Sequence, residues 1–332
     1  MCIVLGLVII YGSLYYWPHS STVLDEGVSV IIKNGDSFSR VTRNLSDNEI
    51  IKNRLFFYLY GRIQGFDHQI KAGQYFFQGS LSYHEIYQKI VKGLIVTQPV
   101  TFYEGMRATQ MAKRLAQTLE ADSTQFMYWV KNAAYCKSLG VNATTLEGYL
   151  FPDTYFFPVE VDAKYAIEQM VNRFFEVVHD SIIQQAETKG MTLHDLVILA
   201  SIVEGEAAIA EERPKIAALY LNRLKKRIPL QADPTIQYII AGGPRRLLNK
   251  DLEIDSPYNT YLYRGLPFGP VNNPGLASML AVLNPDSVNY LYMVANGDGS
   301  HTFSSNLEDH IRAKKKFDRI RRQIERQRNL QR

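Results

Sequence analysis

Two glutamates close the run VILASIVEGEA (197–207), an otherwise apolar stretch with one glycine between the acids. A carboxylic acid at the end of a core helix suits general acid–base work, because it stands where interior meets solvent. At about 100° per residue, Glu206 lies roughly 200° round the helix from Glu204, so the two cannot share one cleft. Glu204 is flanked one turn away by Ala200, Ser201, Ala207 and Ala208, all small, which leaves room for a ligand. It is the candidate catalytic acid. Glu206 is flanked by Ile202, Val203, Ile209 and Ala210, so it is either buried and partnered or covered by a loop, and is kept as a supporting residue. The plain alternative makes both glutamates helix-surface residues with ion-pair partners such as Arg213.

Four further stretches carry polar groups fit to meet a ligand. LEGYLFPDTY (146–155) sets Glu147 and Asp153 among aromatic rings, as sugar clefts do; it equally suits a structural corner. PLQADPTIQY (229–238) brings Gln231, Asp233 and Thr235 to one side if extended, while Asp233 before Pro234 also suits a turn or helix cap. SPYNTYLYRGLPFGPVNNPG (256–275) is a long loop rich in Pro, Gly and Asn, carrying Tyr258, Asn259 and Tyr261. His301 in GDGSHTFSSN stands beside a short strand, as a supporting or a structural hydrogen-bonding residue. The seven histidines and two cysteines show no metal-ligand spacing, so no metal and no cofactor are predicted.

These residues need a scaffold, and the pattern predicts an α+β one. Val28–Ile32 alternates as a strand, and NGDS (34–37) turns into a helix capped by Asp36 or Ser37. A helix over about 48–60, a strand in KAGQYFF (71–77), a helix over 82–92 and a strand in LIVTQPVTF (94–102) complete a small subdomain, 28–100. The remainder, 101–332, reads as a larger, mostly helical domain with short strands, including one over 291–294. Helices are predicted over 108–119, 123–133, 162–188 and 193–227, and a loop-rich insert over 228–274. A basic helix over 306–329 closes the chain.

Residues 1–17, MCIVLGLVIIYGSLYYW, carry no charge and end on three aromatics. As a helix they span about 25 Å against a roughly 30 Å hydrocarbon core, so 1–18 reads as an N-terminal transmembrane anchor, with 19–27 as linker. The stretch lacks the basic start and small-residue cleavage site of a signal peptide. The formal net charge is +4, and residues 312–332 carry ten Lys/Arg against Asp318 and Glu325. That basic end suits a solvated amphipathic helix, or an anionic partner such as nucleic acid, lipid or an acidic polymer.

Together, LEGYLFPDTY, ASIVEGEA, LQADPTIQY, SPYNTY, GLPFGPVNNPG and SHTF, in that order along the chain, resemble the bacterial endolytic murein transglycosylases of the YceG-like family. VSVIIKNGDSFSRVTRNL (28–45) is similar to the LysM-like subdomain of that family. The resemblance implies a single-pass inner-membrane protein with a periplasmic catalytic domain. It implies cleavage of the β-1,4 bond from N-acetylmuramic acid to N-acetylglucosamine inside nascent glycan strands, leaving a 1,6-anhydromuramoyl end. It implies the acid role for Glu204 and substrate contacts among Glu147, Gln231, Asp233, Asn259 and Tyr261. Peptidoglycan strands and the membrane are the implied partners, with cell-wall synthases or penicillin-binding proteins, and no nucleic acid. Phe268, where the family has a second proline, and Gly205, where a longer residue is common, are departures from its pattern. A muramidase acting on the same bond and a non-catalytic glycan-binding scaffold are the rival readings.

Overall fold

A computed structural model of the chain describes residues 24–33, 35–93 and 96–330. The proposed anchor 1–18 and residues 19–23 of the linker lie outside the described residues. Among the described residues no helix is long and apolar enough to cross a membrane. Helices and short strands alternate along the chain in an α+β order, and they divide into two compact units. The first comprises the described residues up to Val100 with Leu115–Ala121 and Tyr155–Asp162; the second comprises Thr101–Arg114, Asp122–Thr154 and the residues from Ala163 onward.

In the first unit β1 (Leu24–Ile32) pairs antiparallel with β2 (Gly73–Gly79), matching Val28 to Phe77, Val30 to Tyr75 and Ile32 to Gly73. Alternation buries Val30 and Ile32 on one strand and Tyr75 and Phe77 on the other. Between them run α1 (Phe38–Asp47), capped by Ser37, and α2 (Arg54–Ile63), capped by Asn53. The second helix therefore starts later than the predicted residue 48, because Asn53 stops the chain there and its side chain accepts from the Phe56 amide. The helix α3 (Tyr83–Lys92) opens on a Ser82–Glu85 capping box. Val41, Leu45, Phe57, Ile86 and Tyr87 close the core, with Phe57 and Tyr87 stacked 4.1 Å apart. The strand β3 (Thr97–Thr101) follows and pairs with β4 (Thr154–Pro158).

The second unit is mostly helical: part of α4 (Ala108–Thr118), α5 (Ser123–Val130), α6 (Ala133–Ser138), α7 (Ala163–Val177) and α8 (Asp180–Thr188) precede its central helix. That helix, α9 (Leu193–Glu206), starts on a Thr192–Asp195 capping box and buries every residue from Leu196 to Val203. A helix apolar on all sides belongs inside a core. It does not run on to 227 as predicted. Ala207 is extended (φ −81, ψ 103), a 3₁₀ turn spans Ala210–Glu212, and α10 (Arg213–Lys225) begins afresh with Pro214 in its first turn, where proline is tolerated. The predicted helix 162–188 likewise breaks at His179, the N-cap of α8. The insert holds the short helix α11 (Asp233–Ile239) and a 3₁₀ turn at Asn249–Glu253, and α12 (Leu276–Leu283) follows it. The hairpin β5 (Tyr292–Ala295) and β6 (His301–Ser304) leads into α13 (Leu307–Leu330), the basic helix.

Candidate active site

The last turn of α9 delivers both glutamates, and the two meet different surroundings. The Glu204 side chain is only 6% exposed. Its Oε1 accepts from Arg213 Nη2 at 3.0 Å, and its Oε2 accepts from the Gly275 amide at 3.2 Å and from Ser278 Oγ at 2.7 Å. Gly275 is the N-cap of α12, so Glu204 supplies the carboxylate at that helix start that the glycine cannot. Arg213 Nε also donates to Ser278 Oγ, which ties α9, α10 and α12 together through one ion pair. Glu104 lies 3.8 Å from Arg213, and a Cβ at position 275 would fall on its carboxyl, so a larger residue there would displace the Glu104 side chain. Burial first, and the Glu204 charge second, push the Glu104 carboxyl up, against the pull of Arg213.

This arrangement occupies Glu204 with the protein's own groups, where the sequence predicted room for a ligand. The room left by Ala200 and Ser201 is filled by the protein's own loop: the Val271 amide donates to Ser201 Oγ, and Asn272 Nδ2 donates to the Ser201 carbonyl at 2.8 Å. Ala207 and Ala208 fall beyond the helix end and flank nothing on it. The Arg213 ion pair of the plain alternative is present, although the Glu204 side chain that makes it is buried.

Glu206 opens on a cavity of about 380 Å³, shared with Gln231, Asp233, Tyr261, Arg223 and His301. Tyr220, itself buried, donates to Glu206 Oε1 at 2.8 Å and fixes the carboxyl. Burial pushes that carboxyl up to about 7, and the nearby Asp233 charge adds to the push. The Tyr220 hydrogen bond, the Asp233 backbone amide and Arg223 oppose it. Asp233 is in turn held by Tyr261, whose hydroxyl donates to Oδ1 at 2.5 Å. Gly205 makes this approach possible: a Cβ there would stand 2.7 Å from two carbons of the Pro234 ring, in the first turn of α11. The glycine thus admits a neighbouring helix, where the sequence suggested a bend or a ligand.

The other predicted residues divide between cavity and scaffold. Gln231, Asp233, Tyr261 and His301 reach the Glu206 cavity; Glu147 and Asn259 do not line it. Residues 231–235 are not extended: Gln231 has φ +50, and Asp233 starts α11, as the turn-or-cap alternative allowed. Thr235 is buried, its hydroxyl on the Ala232 carbonyl at 2.7 Å. Glu147 is 3% exposed and accepts from the Ala108 amide and Asn273 Nδ2, both at 2.9 Å, and from the Tyr238 hydroxyl. Burial pushes it up to about 7. It braces the interior and has no face for a sugar. Asn259 is fully buried and pins its own loop, donating to the carbonyls of Leu252 and Ile254 and accepting from the Tyr261 amide. His301 holds Glu212 twice, through its amide at 2.9 Å and Nδ1 at 2.7 Å. Asp153, set among rings in the sequence, pairs with Arg173 at 2.8 Å.

The sequence did not single out Tyr220 and Arg223. Both sit on one face of α10, three residues apart, a spacing that fits a core stripe as well as a cleft wall. Nor did Glu104 or Asn273 give any signal; Asn273 gathers Gly148, Leu150, Met106 and Glu147 by contacts far apart in sequence. Among the described residues no three His, Cys, Asp or Glu stand together as metal ligands.

A family model described as the YceG-like family matches residues 30–316. The chain is 33% identical over 306 residues to a protein of Bacillus subtilis (strain 168) named endolytic murein transglycosylase, covering 87% of this chain and 84% of that one. A Streptococcus pneumoniae (strain R6) protein of the same name is 30% identical over 320 residues, 86% of this chain and 57% of that one, so the chain spans little over half of that relative. A crystal structure of a putative yceG-like protein from Listeria monocytogenes is similar with a TM-score of 0.60 and 32% identity, covering 86% of this chain and 98% of that one.

Proposed function

Because the chain belongs to the YceG-like family, we propose that it is an endolytic murein transglycosylase, a lyase that cuts peptidoglycan strands, with Glu206 as its acid and base. The reading rests on one observation: of the two adjacent glutamates, Glu206 opens on the cavity, and its carboxyl is pushed up to about 7. A group that titrates near neutral pH serves both to give and to take a proton. Glu204, saturated by Arg213, Ser278 and the Gly275 amide, is the acid that positions helices.

In this reaction the Glu206 carboxyl donates its proton to the glycosidic oxygen as the bond from the muramoyl C1 to that oxygen breaks. The N-acetylglucosamine leaves with a new 4-hydroxyl. The muramoyl C6 hydroxyl then bonds to C1, and its proton returns to the Glu206 carboxylate. Water takes no part, so one carboxyl suffices where glycoside hydrolases use two. Asp233, held by Tyr261 beside Glu206, stabilises the positive charge that develops at C1.

A muramidase is the second reading, and the second carboxylate in the cavity, Asp233, is what favours it, since it could activate water. Peptidoglycan digested by the full chain in detergent separates the two by the mass of the product ends. Anhydro ends are the expected result, and reducing muramic ends would replace the transglycosylase with a hydrolase. In the same assay Glu206→Gln is expected to lower the rate by about 10² to 10⁴ with the fold intact. Glu204→Gln is expected to cost stability and keep activity in its folded fraction. An active Glu206→Gln, or a folded but inactive Glu204→Gln, would return the acid role to Glu204.

Residues 28–100 are proposed as the LysM-like subdomain from their strand–helix–helix–strand order, and 101–332 as the catalytic domain. The uncharged stretch 1–17 supports a proposed single-pass anchor in the cytoplasmic membrane, with the catalytic domain on the periplasmic side and cell-wall synthases as partners.

A further inference from the structure

The Glu206 cavity has a second wall that the proton transfers leave unused. Arg223, 7% exposed, spends Nε on the Leu291 carbonyl at 2.6 Å and Nη1 on the carbonyls of Pro229 and Leu230 and on Gln231 Oε1. Among the described residues it forms no ion pair, and no hydrogen bond from Nη2 is seen. A buried guanidinium without a hydrogen-bonded carboxylate is costly; the Glu206 charge bears on it only through space, and an arriving anion meets the rest of the cost. Lys314, exposed on α13, reaches the same cavity and has no ion-pair partner among the described residues. His310, one turn before it, stacks on Tyr292 at 5.0 Å, and the Arg223 guanidinium lies 5.5 Å from the same ring. Burial, then the charges of Lys314 and Arg223, hold His310 below its ordinary value, so the two cations bear on one spot.

We propose that the wall formed by Arg223 and Lys314 binds a carboxylate carried by the glycan strand, and so selects which strands reach Glu206. The inference rests on the glycan-cleaving reading above. Two groups of the substrate have this chemistry. One is the lactyl carboxylate of a muramoyl unit stripped of its peptide; the other is a carboxylate of an attached peptide stem. A flexible ammonium at the rim suits either, while Arg223, fixed by its carbonyls, gives the deeper charge.

The test uses the full chain in detergent and four strand preparations: with stems, with stems removed to free the lactyl group, and each of these with its carboxylates converted to neutral amides. Binding is read on Glu206→Gln by fluorescence anisotropy of labelled strands, and cleavage on the wild type by mass of the product ends. Amidation is expected to weaken binding by about three- to tenfold, and Lys314→Glu to weaken binding of charged strands by at least as much while leaving amidated strands unaffected. The preparation that loses more on amidation identifies the carboxylate. Equal binding of charged and amidated strands, or an equal loss on both with Lys314→Glu, would overturn the proposal. Because binding is read separately from cleavage, absence of cleavage by the wild type would sink the activity and leave this result standing.

Discussion

The sharpest quantitative consequence of the structure concerns Glu147, a buried carboxyl that does not line the Glu206 cavity. Unfolded, it titrates near its ordinary 4.5; folded, burial holds it protonated up to about 7. Between those values the native state binds the extra proton, so stability is complete below about pH 4.5 and falls as pH rises to 7. The difference corresponds to about 3 kcal/mol, at about 1.36 kcal/mol per tenfold. Glu147→Gln removes this titration and keeps the packing. The amide oxygen still accepts from the Ala108 amide and Asn273, and the amide nitrogen faces the Tyr238 hydroxyl, which accepts in place of donating. Urea unfolding at pH 4 and pH 8, followed by circular dichroism, is expected to show the wild type losing about 3 kcal/mol more over this range than Glu147→Gln. Glu206, also pushed up to about 7, titrates in the same window, so Glu206→Gln is expected to remove a similar share. The two carboxyls have no hydrogen-bond partner in common, and the double variant should add them. Parallel stability curves for the wild type and Glu147→Gln would refute the burial argument for Glu147.

Two further substitutions test the loop over the cavity. Asn259→Ala removes both donors to Leu252 and Ile254 and leaves the Tyr261 amide unpaired, which should cost about 3 kcal/mol in thermal melts; an unchanged melting temperature would mean that the loop is held elsewhere. Tyr261→Phe removes only the donor to Asp233, so the fold should persist while kcat falls about tenfold in the product-end assay. An unchanged kcat would show that this pair does not serve the reaction.

Local signals carried the small unit well. The Ser37 cap, the turn before α1 and the strand alternation of β1 are written within a few residues of one another, and the structure uses them so. Signals that depend on distant partners were ambiguous. Small residues beside Glu204 admit a ligand or a loop, and only the fold brings residues 271–275 onto them. A buried Asn in a polar loop reads as a contact residue until its four hydrogen-bonding positions are counted and found spent on that loop. The end of α9 was missed because the apolar pattern resumes in α10, although Pro214 marked a new first turn.

The VEGE sequence shows why adjacent acids need different surroundings. A core helix cannot bury two carboxylates in the same manner, since each must be either neutralised by a partner or left able to protonate. Glu204 takes the first course: Arg213, Ser278 and the start of α12 satisfy its charge, which fixes three helices and leaves it chemically spent. Glu206 takes the second. Tyr220 gives it one donor, burial keeps the proton on, and Asp233 discourages ionisation further. The glycine between them connects the two courses, because without a side chain at 205 the first turn of α11 comes close enough to carry Asp233 to Glu206. The rigidity supplied by Glu204 is therefore what allows Glu206, the proposed acid, to be placed, and a loss at Glu204 should reach the proposed reaction only through the positions of α10 and α12.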